Sequence, residues 1–161
     1  IEYGELKLNF EELDLDNFFD KYVKSIITLA KKKNIDIVYK PDHQGNIIAD
    51  HQAFERIMNN LIDNAIKYSD KNSKITVSTF NEADEHIKIL VEDSGEGISP
   101  EDKNHIFSRF YRTASARATD NQGSGLGLAI VKHLVNSLNG EVGVQNSKTK
   151  GSVFWFTIPQ S

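Results

Sequence analysis

Residues 59–68 read NNLIDNAIKY and place Asn60, Asn64 and Lys67 at i, i+4 and i+7, a single face of a helix. Asparagine is a mediocre residue inside a helix, because its amide competes for backbone hydrogen bonds. A side-chain amide oxygen is, however, a hard neutral ligand for Mg2+, an ion that keeps most of its waters and shares a substrate's phosphates. A lysine one turn further along supplies point charge for the same phosphates. The plainer reading is a solvated polar face, and for an isolated asparagine pair it suffices.

Three further stretches could carry chemistry. GSGLGLAI, residues 123–130, sets Gly123, Gly125 and Gly127 directly before a helical pattern. Glycine lets a ligand approach the backbone closely, and a helix N-terminus offers unpaired N–H groups that suit phosphate. A flexible loop with a Gly-rich cap explains the same letters equally well. No Gly-Lys-Ser/Thr follows and the spacing is not GxGxxG, so neither a P-loop nor a dinucleotide fingerprint fits. EDSGEGI, residues 92–98, closes an apolar run with Asp93, Gly95, Gly97 and Ile98. A carboxylate there can accept from an exocyclic amine such as adenine N6, while bare glycine backbone admits a flat ring. An ordinary Asp-Ser-Gly turn is the alternative. IFSRFYR, residues 106–112, offers Arg109 and Arg112 for phosphate oxygens and Tyr111 for a sugar or phosphate chain, with Phe107 and Phe110 expected in the core.

These residues must be positioned by regular elements. Residues 5–9 suggest a short strand. Asp14 or Asp16 can cap a helix whose stripe is Phe19, Tyr22, Val23, Ile26, Ile27 and Ala30, ended by Asn34. Strands near 35–40 and 46–49 flank the turn PDHQG, and a helix of about 51–68 follows. Alternation in KITVSTF (Ile75, Val77, Thr79) and HIKILVE (Ile87, Ile89, Val91) predicts a hairpin closed by NEADE. Leu126, Ile130, Leu134 and Leu138 predict a helix over 126–138, stopped by Asn139-Gly140. Two last strands, 141–146 and 151–158, share SKTKG as their turn and align Phe154, Phe156 and Ile158. The result is an α+β fold: a two-layer α/β sandwich whose mixed, mostly antiparallel sheet has five or more strands with about three helices on one face. Regular βα alternation is absent, which argues against a doubly wound fold. TASARATDNQGS, residues 113–124, holds no apolar side chain larger than alanine, cannot offset its ordering entropy, and is expected to be a flexible lid.

The bulk numbers exclude several functions. The 161 residues suit one domain with one core, and 39% hydrophobic with 26% charged content is ordinary for a globular protein. A net charge of −4 argues against nucleic acid as a partner, and KKK at 31–33 is explained by a helix C-terminus. No apolar run spans a membrane, so direct membrane insertion of this stretch is not expected. Without cysteine, disulfides, thiolate metal sites and cysteine nucleophiles are all excluded, consistent with a cytoplasmic location. The histidines at 43, 51, 86, 105 and 133 show no metal-ligand spacing. The opening at Ile1, without cap or turn, reads as a fragment of a longer chain.

Taken in order, NNLIDNAIKYS, DSGEGI, IFSRFYR and GSGLGLAI resemble the N, G1, F and G2 boxes of the histidine-kinase ATP-binding domain, a Bergerat-fold family shared with DNA gyrase, the ninety-kilodalton heat-shock chaperone and the mismatch-repair ATPase. The resemblance runs from GELKLNFEELDL to GSVFWFTIP. It implies residues 1–10 as the end of a linker from a missing dimerisation domain plus a first strand, and 11–161 as the catalytic domain. It further implies Asn64 as the Mg2+ ligand with Asn60 in support, Lys67 on phosphate, Tyr68 against adenine, and Asp93 accepting from the adenine amino group beside Gly95, Gly97 and Ile98. Tyr111 and Arg112 would lie near ribose and phosphates, and Gly123, Gly125, Leu126, Gly127 and Leu128 would form the phosphate-binding hinge. Arg109 has two open roles, the γ-phosphate or the missing partner domain.

One departure bears on mechanism. Relatives that hydrolyse ATP place a glutamate four residues before the metal asparagine, where it activates water; this chain has Asn60. Histidine kinases need no such base, because their nucleophile is a histidine followed by an acid on a neighbouring hairpin. None of the five histidines is followed by an acidic residue, so the acceptor is expected on a separate dimerisation and histidine-phosphotransfer domain of the parent. The resemblance thus implies ATP/ADP as ligands, Mg2+ as cofactor, and a response regulator downstream. A conformational ATPase, an anti-sigma-type serine kinase and a degenerate nucleotide-sensing or scaffold module are the alternatives.

Overall fold

Two aspartates start the helices on which the fold is built. In the computed structural model, which describes residues 7–112 and 127–161, Asp14 accepts from the Asn17 amide at 3.1 Å and opens α1, Leu15–Lys31. Asp50 accepts from the Ala53 amide at 2.8 Å and opens α2, His51–Tyr68. In each case a short side chain occupies an N–H group that the first helical turn leaves unpaired. Of the two candidate caps on α1, Asp14 is the one used.

The strands are β1 (Glu11–Leu13), β2 (Asp36–Asp42), β3 (Ile47–Ala49), β4 (Lys74–Glu82), β5 (His86–Glu92), β6 (Val142–Asn146) and β7 (Ser152–Pro159). Among the described residues, two more helices are α3 (Pro100–Lys103) and α4 (Gly127–Ser137). The main sheet has the order β2-β4-β5-β7-β6, antiparallel throughout except for the parallel pair β2 and β4. That parallel pair requires a crossover, supplied by β3 and α2. β1 and β3 form a second, two-stranded antiparallel sheet. The architecture is the mixed, mainly antiparallel α+β sandwich that the alternation predicts.

Alternation along the strands explains the layering. Ile75, Val77, Thr79, Ile87, Ile89, Val91, Phe154, Phe156 and Ile158 are all buried on the sheet face that meets the helices. α1 packs on β2, α2 on β5, and α4 on β6 and β7, with α2 and α4 against each other. A chain of aromatic rings ties the layers: Phe19 to Tyr39 at 4.9 Å, Phe18 to Phe54 at 4.9 Å and Phe54 to Phe156 at 5.7 Å between centroids. Among the described residues, no helix is long and apolar enough to cross a membrane.

Several expectations are corrected. Residues 7–10 form no strand, because the Asn9 amide donates to the Asp50 carboxylate at 2.8 Å and pairing begins only at Glu11, opposite Ala49. Ile27 is exposed, and Leu15 and Phe18 complete the buried stripe of α1 instead. Pro41 and Asp42 extend β2, leaving the turn to the residues around Gly45, whose φ is +90°. On α4 the buried face is Val131, Leu134 and Val135, with Ile130 half-buried beside it.

Burial alone would raise the pKa of Asp50, but the amides of Asn9, Ala53 and Gln52 and the neighbouring His51 outweigh it and hold the carboxyl below its ordinary value. A depressed folded pKa contributes stability above the unfolded value, and that stability is lost as pH falls through the folded value. Asp50→Ala is therefore expected to lower the unfolding free energy by about 1–2 kcal/mol near neutrality. The deficit relative to the parent should shrink in urea titrations run at about pH 3, below the usual carboxylate range.

Candidate functional site

The polar face of α2 meets the start of α4. Asn60 donates its Nδ2 to the Arg56 carbonyl at 3.1 Å. Its Oδ1 is directed toward Gly127, where an added Cβ would lie 3.5 Å away. NNLIDNAIKY and the described end of GSGLGLAI are thus brought together, although 67 positions separate Asn60 from Gly127 in numbering. Asn64 stands one turn further along, half-buried, and Lys67 is exposed beyond it. The third asparagine serves packing instead, since Asn59 accepts from the Tyr22 hydroxyl at 2.8 Å and pins α2 to α1. Burial, then the nearby Asp63 and Glu55 carboxylates, keep that hydroxyl well above the ordinary tyrosine range. The Asp63 carboxyl is pushed up by partial desolvation, with the Lys67 cation opposing the rise.

The second half of the site is a buried carboxylate. Asp93 follows β5 and is 5% exposed. Its Oδ1 accepts from the Gly95 amide at 2.9 Å and the Ser152 amide at 3.2 Å; its Oδ2 accepts from the Ser152 hydroxyl at 2.7 Å. A carboxylate has about four acceptor positions, so three protein donors leave capacity for one more. The Asp-Ser-Gly turn offered as the alternative does form, through the Gly95 contact, but its acid is carried into the interior rather than into solvent.

Glycines permit the close approaches around it. A Cβ on Gly95 would lie 2.5 Å from the Tyr68 carbonyl, so the end of α2 packs directly on this turn. Gly151 has φ +104°, and its Cβ would come within 2.1 Å of the Asp93 carbonyl. The Ser94 amide donates to the Ser69 hydroxyl at 3.2 Å, and the Ile98 amide donates to Asn146 Oδ1 at 2.9 Å. Sequence reasoning finds Asp93, Gly95, Gly97 and Ile98 but misses Ser69, Asn146, Gly151 and Ser152. The register of β5 on β7, with Glu92 opposite Val153, is what brings Ser152 to Asp93.

The aromatic stretch behaves differently from expectation. Ser99 caps α3 by accepting from the Asp102 amide at 3.1 Å, and the Tyr111 hydroxyl donates to the Asp102 carboxylate in a short contact. Phe107 packs edge-on against Phe154 at 6.1 Å, as a core residue should. Phe110 does not: it is 62% exposed, its φ of 64° turns the side chain outward, and the Arg109 guanidinium lies 5.8 Å from its ring centroid. Arg112 is half-buried at the end of this stretch, and Leu128 packs half-buried against the core. Gly123, Gly125, Leu126 and the expected lid over 113–124 lie outside the described residues.

Comparison with known proteins addresses the same region. A family profile described as histidine kinase-, DNA gyrase B-, and HSP90-like ATPase matches residues 49–161. The sensor protein CiaH of Streptococcus pneumoniae serotype 4 is 35% identical over 138 residues, covering 86% of this chain and 31% of that protein. The chain therefore spans about a third of that relative's length. Among solved structures, the nucleotide-free catalytic domain of the histidine kinase ThkA superposes with a TM-score of 0.82 at 28% identity, covering 95% of this chain and 99% of that one. ThkA is also known in complex with the response regulator protein TrrA, where the TM-score is 0.78 at 27% identity over 94% of this chain and 42% of that one. Full-length ShkA in complex with AMPPNP gives a TM-score of 0.82 at 25% identity over 97% of this chain and 32% of that one.

The contact between Gly151 and Asp93 leaves no room for a methyl group. Gly151→Ala is expected to destabilise the domain by about 2–4 kcal/mol, from a positive φ and a backbone clash together. Urea denaturation measures this, and stability within error of the parent would mean that the Asp93 turn yields far more than its contacts imply.

Proposed function

The chain belongs to the histidine kinase-, DNA gyrase B-, and HSP90-like ATPase family, and from that premise we propose that it is the ATP-binding catalytic domain of a sensor histidine kinase. The observation that carries this reading is Asp93: a carboxylate in the interior with three protein donors, one acceptor position to spare, and glycine backbone around it. Its spare position suits the amino group of adenine. Gly95, Gly97 and Ile98 would shape the base pocket, and Tyr68, whose carbonyl packs on Gly95, would lie along the ring.

The phosphate half is the meeting of α2 with α4. Neutral amide oxygens fit Mg2+, because that ion takes few protein ligands and retains its waters. Asn60 has its nitrogen engaged by Arg56 and its oxygen toward Gly127, and Asn64 stands on the same face; these two would hold the ion. When bound, Mg2+ neutralises charge on the triphosphate. Lys67 and Arg112 supply further positive charge, Gly127 keeps the start of α4 open to phosphate, and Tyr111 and Arg109 lie on the segment leading there. Arg109, beside the exposed Phe110, would meet either a partner domain or the γ-phosphate, the two roles left open for it.

Phosphoryl transfer is chiefly positioning and charge neutralisation, so this inventory suffices without a general base of its own. No carboxylate occupies position 60, where hydrolysing relatives activate water. The γ-phosphoryl group would instead pass to an imidazole nitrogen on a separate dimerisation and histidine-phosphotransfer domain, and from there to a response regulator, with the transfer taking place in the cytoplasm.

Three measurements test this. Incubation of the domain with Mg-ATP and a cognate hairpin domain is expected to label the hairpin histidine, while hydrolysis by the domain alone stays slow; rapid hydrolysis without transfer would favour a conformational ATPase, and binding without transfer a nucleotide-sensing module. Asp93→Asn is expected to weaken ATP and ADP by about 1.5–3 kcal/mol, roughly 10- to 150-fold, with far less effect on purine nucleotides that lack the amino group. Calorimetric titration distinguishes these, and equal losses for both kinds of purine remove Asp93 from base recognition. Asn64→Ala should abolish most of the Mg2+ dependence of ATP affinity, and an unaltered Mg2+ titration would place the metal elsewhere.

A further inference from the structure

Lys33 lies just beyond α1, yet its ammonium serves a different helix. Its backbone amide donates to Ala30 O at 3.2 Å, which keeps the main chain at the end of α1. Its Nζ crosses to the end of α2 and donates to Ile66 O at 2.8 Å, Lys67 O at 2.9 Å and Ser69 O at 3.0 Å. An ammonium has three donors, and all three are used.

The need for such a cap is local. The last carbonyls of any helix lack intrahelical partners and carry the negative end of its dipole. Many helices close with a left-handed residue that returns its own N–H groups to those carbonyls. α2 has no such ending, since Ser69 at the cap is extended with φ −80° and ψ 151°. Lys33 supplies donors and positive charge together. The two turns are further joined by Asn72 N to Lys33 O at 3.2 Å, Asn34 Nδ2 to Asn72 Oδ1 at 2.7 Å and Asp36 N to Ser73 O at 3.0 Å.

What this turn carries gives the clamp its consequence. Lys33 holds the carbonyls of residues 66, 67 and 69; the one it passes over, on Tyr68, is the one that packs against Gly95. Ser69, next in line, receives the Ser94 amide at 3.2 Å. Both contacts lead into the turn that orients Asp93.

We propose that Lys33 is a positioning residue for the base half of the site, fixing the last turn of α2 and through it Tyr68 and the Asp93 turn, without touching the ligand itself. This rests on the reading of that turn as the adenine pocket. Asn60 and Asn64 lie six and two residues before the first clamped carbonyl, so the metal-facing part of the site depends less on the clamp than the base half, although Lys67 shares the clamped turn through its carbonyl.

The test uses the 161-residue chain, with adenosine and Mg-ATP as probes in calorimetric titrations. Lys33→Met keeps the apolar stem and removes every donor; it is expected to weaken adenosine about 5- to 20-fold. The additional affinity of Mg-ATP over adenosine should change by less than the adenosine affinity does, since of the proposed phosphate-half residues only Lys67 lies in the clamped turn. Lys33→Arg restores charge and donors and is expected to bind adenosine within about threefold of the parent. Should Lys33→Met not fold, judged by circular dichroism, Lys33→Gln is measured in the same way. Parent-like adenosine affinity in a folded Met or Gln variant, no recovery with arginine, or a loss confined to the Mg-ATP increment each overturns the proposal. A parent chain that binds neither probe overturns the ATP-binding reading itself, a result separable from any of these.

Discussion

The structure is organised around the cost of keeping the Asp93 carboxylate inside. A buried charge without hydrogen bonds is strongly disfavoured, so a carboxyl at 5% exposure must be surrounded by donors. Those donors come from its own turn, through Gly95, and from the neighbouring strand, through both polar groups of Ser152. Each requirement propagates. Ser152 is in place only if β7 pairs with β5 in the observed register, and the strands approach closely enough only because residue 151 is glycine. A register slip of one residue would turn every side chain of β7 to the other face, taking Phe154 and Phe156 out of the core along with Ser152. The polar site and the apolar core therefore enforce the same pairing.

The helices divide the remaining work. α2 presents Ile57, Met58, Leu61, Ile62 and Ala65 to the core, while Asn60, Asn64 and Lys67, the residues of the proposed phosphate half, stand on its polar face. α1 contributes nothing to the site directly, yet it braces α2 at both ends of the functional stretch, by Tyr22 on Asn59 and by Lys33 just beyond its own end on the final carbonyls. Phe18 and Phe19 fill the space between these two contacts and the sheet.

Much of this was legible in the sequence, for identifiable reasons. The range of α2 and the inward sets of β4, β5 and β7 follow from periodicity, which is a property of consecutive residues. Residue type and short spacing single out Asp93 with its glycines, and Asn60 with Asn64, as candidates, and the family resemblance supplies the roles proposed for them. What escaped has partners far away in the chain. Ser152 lies 59 residues from Asp93, and the Lys33 contacts span 33 to 36 residues. Lys33 was masked further by its place in KKK, where a lysine at the end of its own helix is sufficient explanation. Phe110 was misplaced because an aromatic residue three positions after Phe107 reads as core, while its positive φ is a property of the folded turn.

The asparagines of α2 can be weighed directly. Each costs a helix interior up to about 0.7 kcal/mol relative to alanine. Full burial of a large apolar side chain contributes about 1.5–3 kcal/mol, and the opposite face of α2 carries five such side chains, Phe54, Ile57, Met58, Leu61 and Ile62, all nearly or wholly buried. The core face therefore outweighs the propensity penalty several-fold, and α2 would remain helical with its polar face freely chosen. Helix stability does not require asparagine at residues 60 and 64. Under the proposed function, a neutral pair of amide oxygens there would coordinate a metal–triphosphate without providing a base to activate water. On that reading, the same helix that could carry a hydrolytic site would hold the phosphoryl group for an acceptor outside this domain.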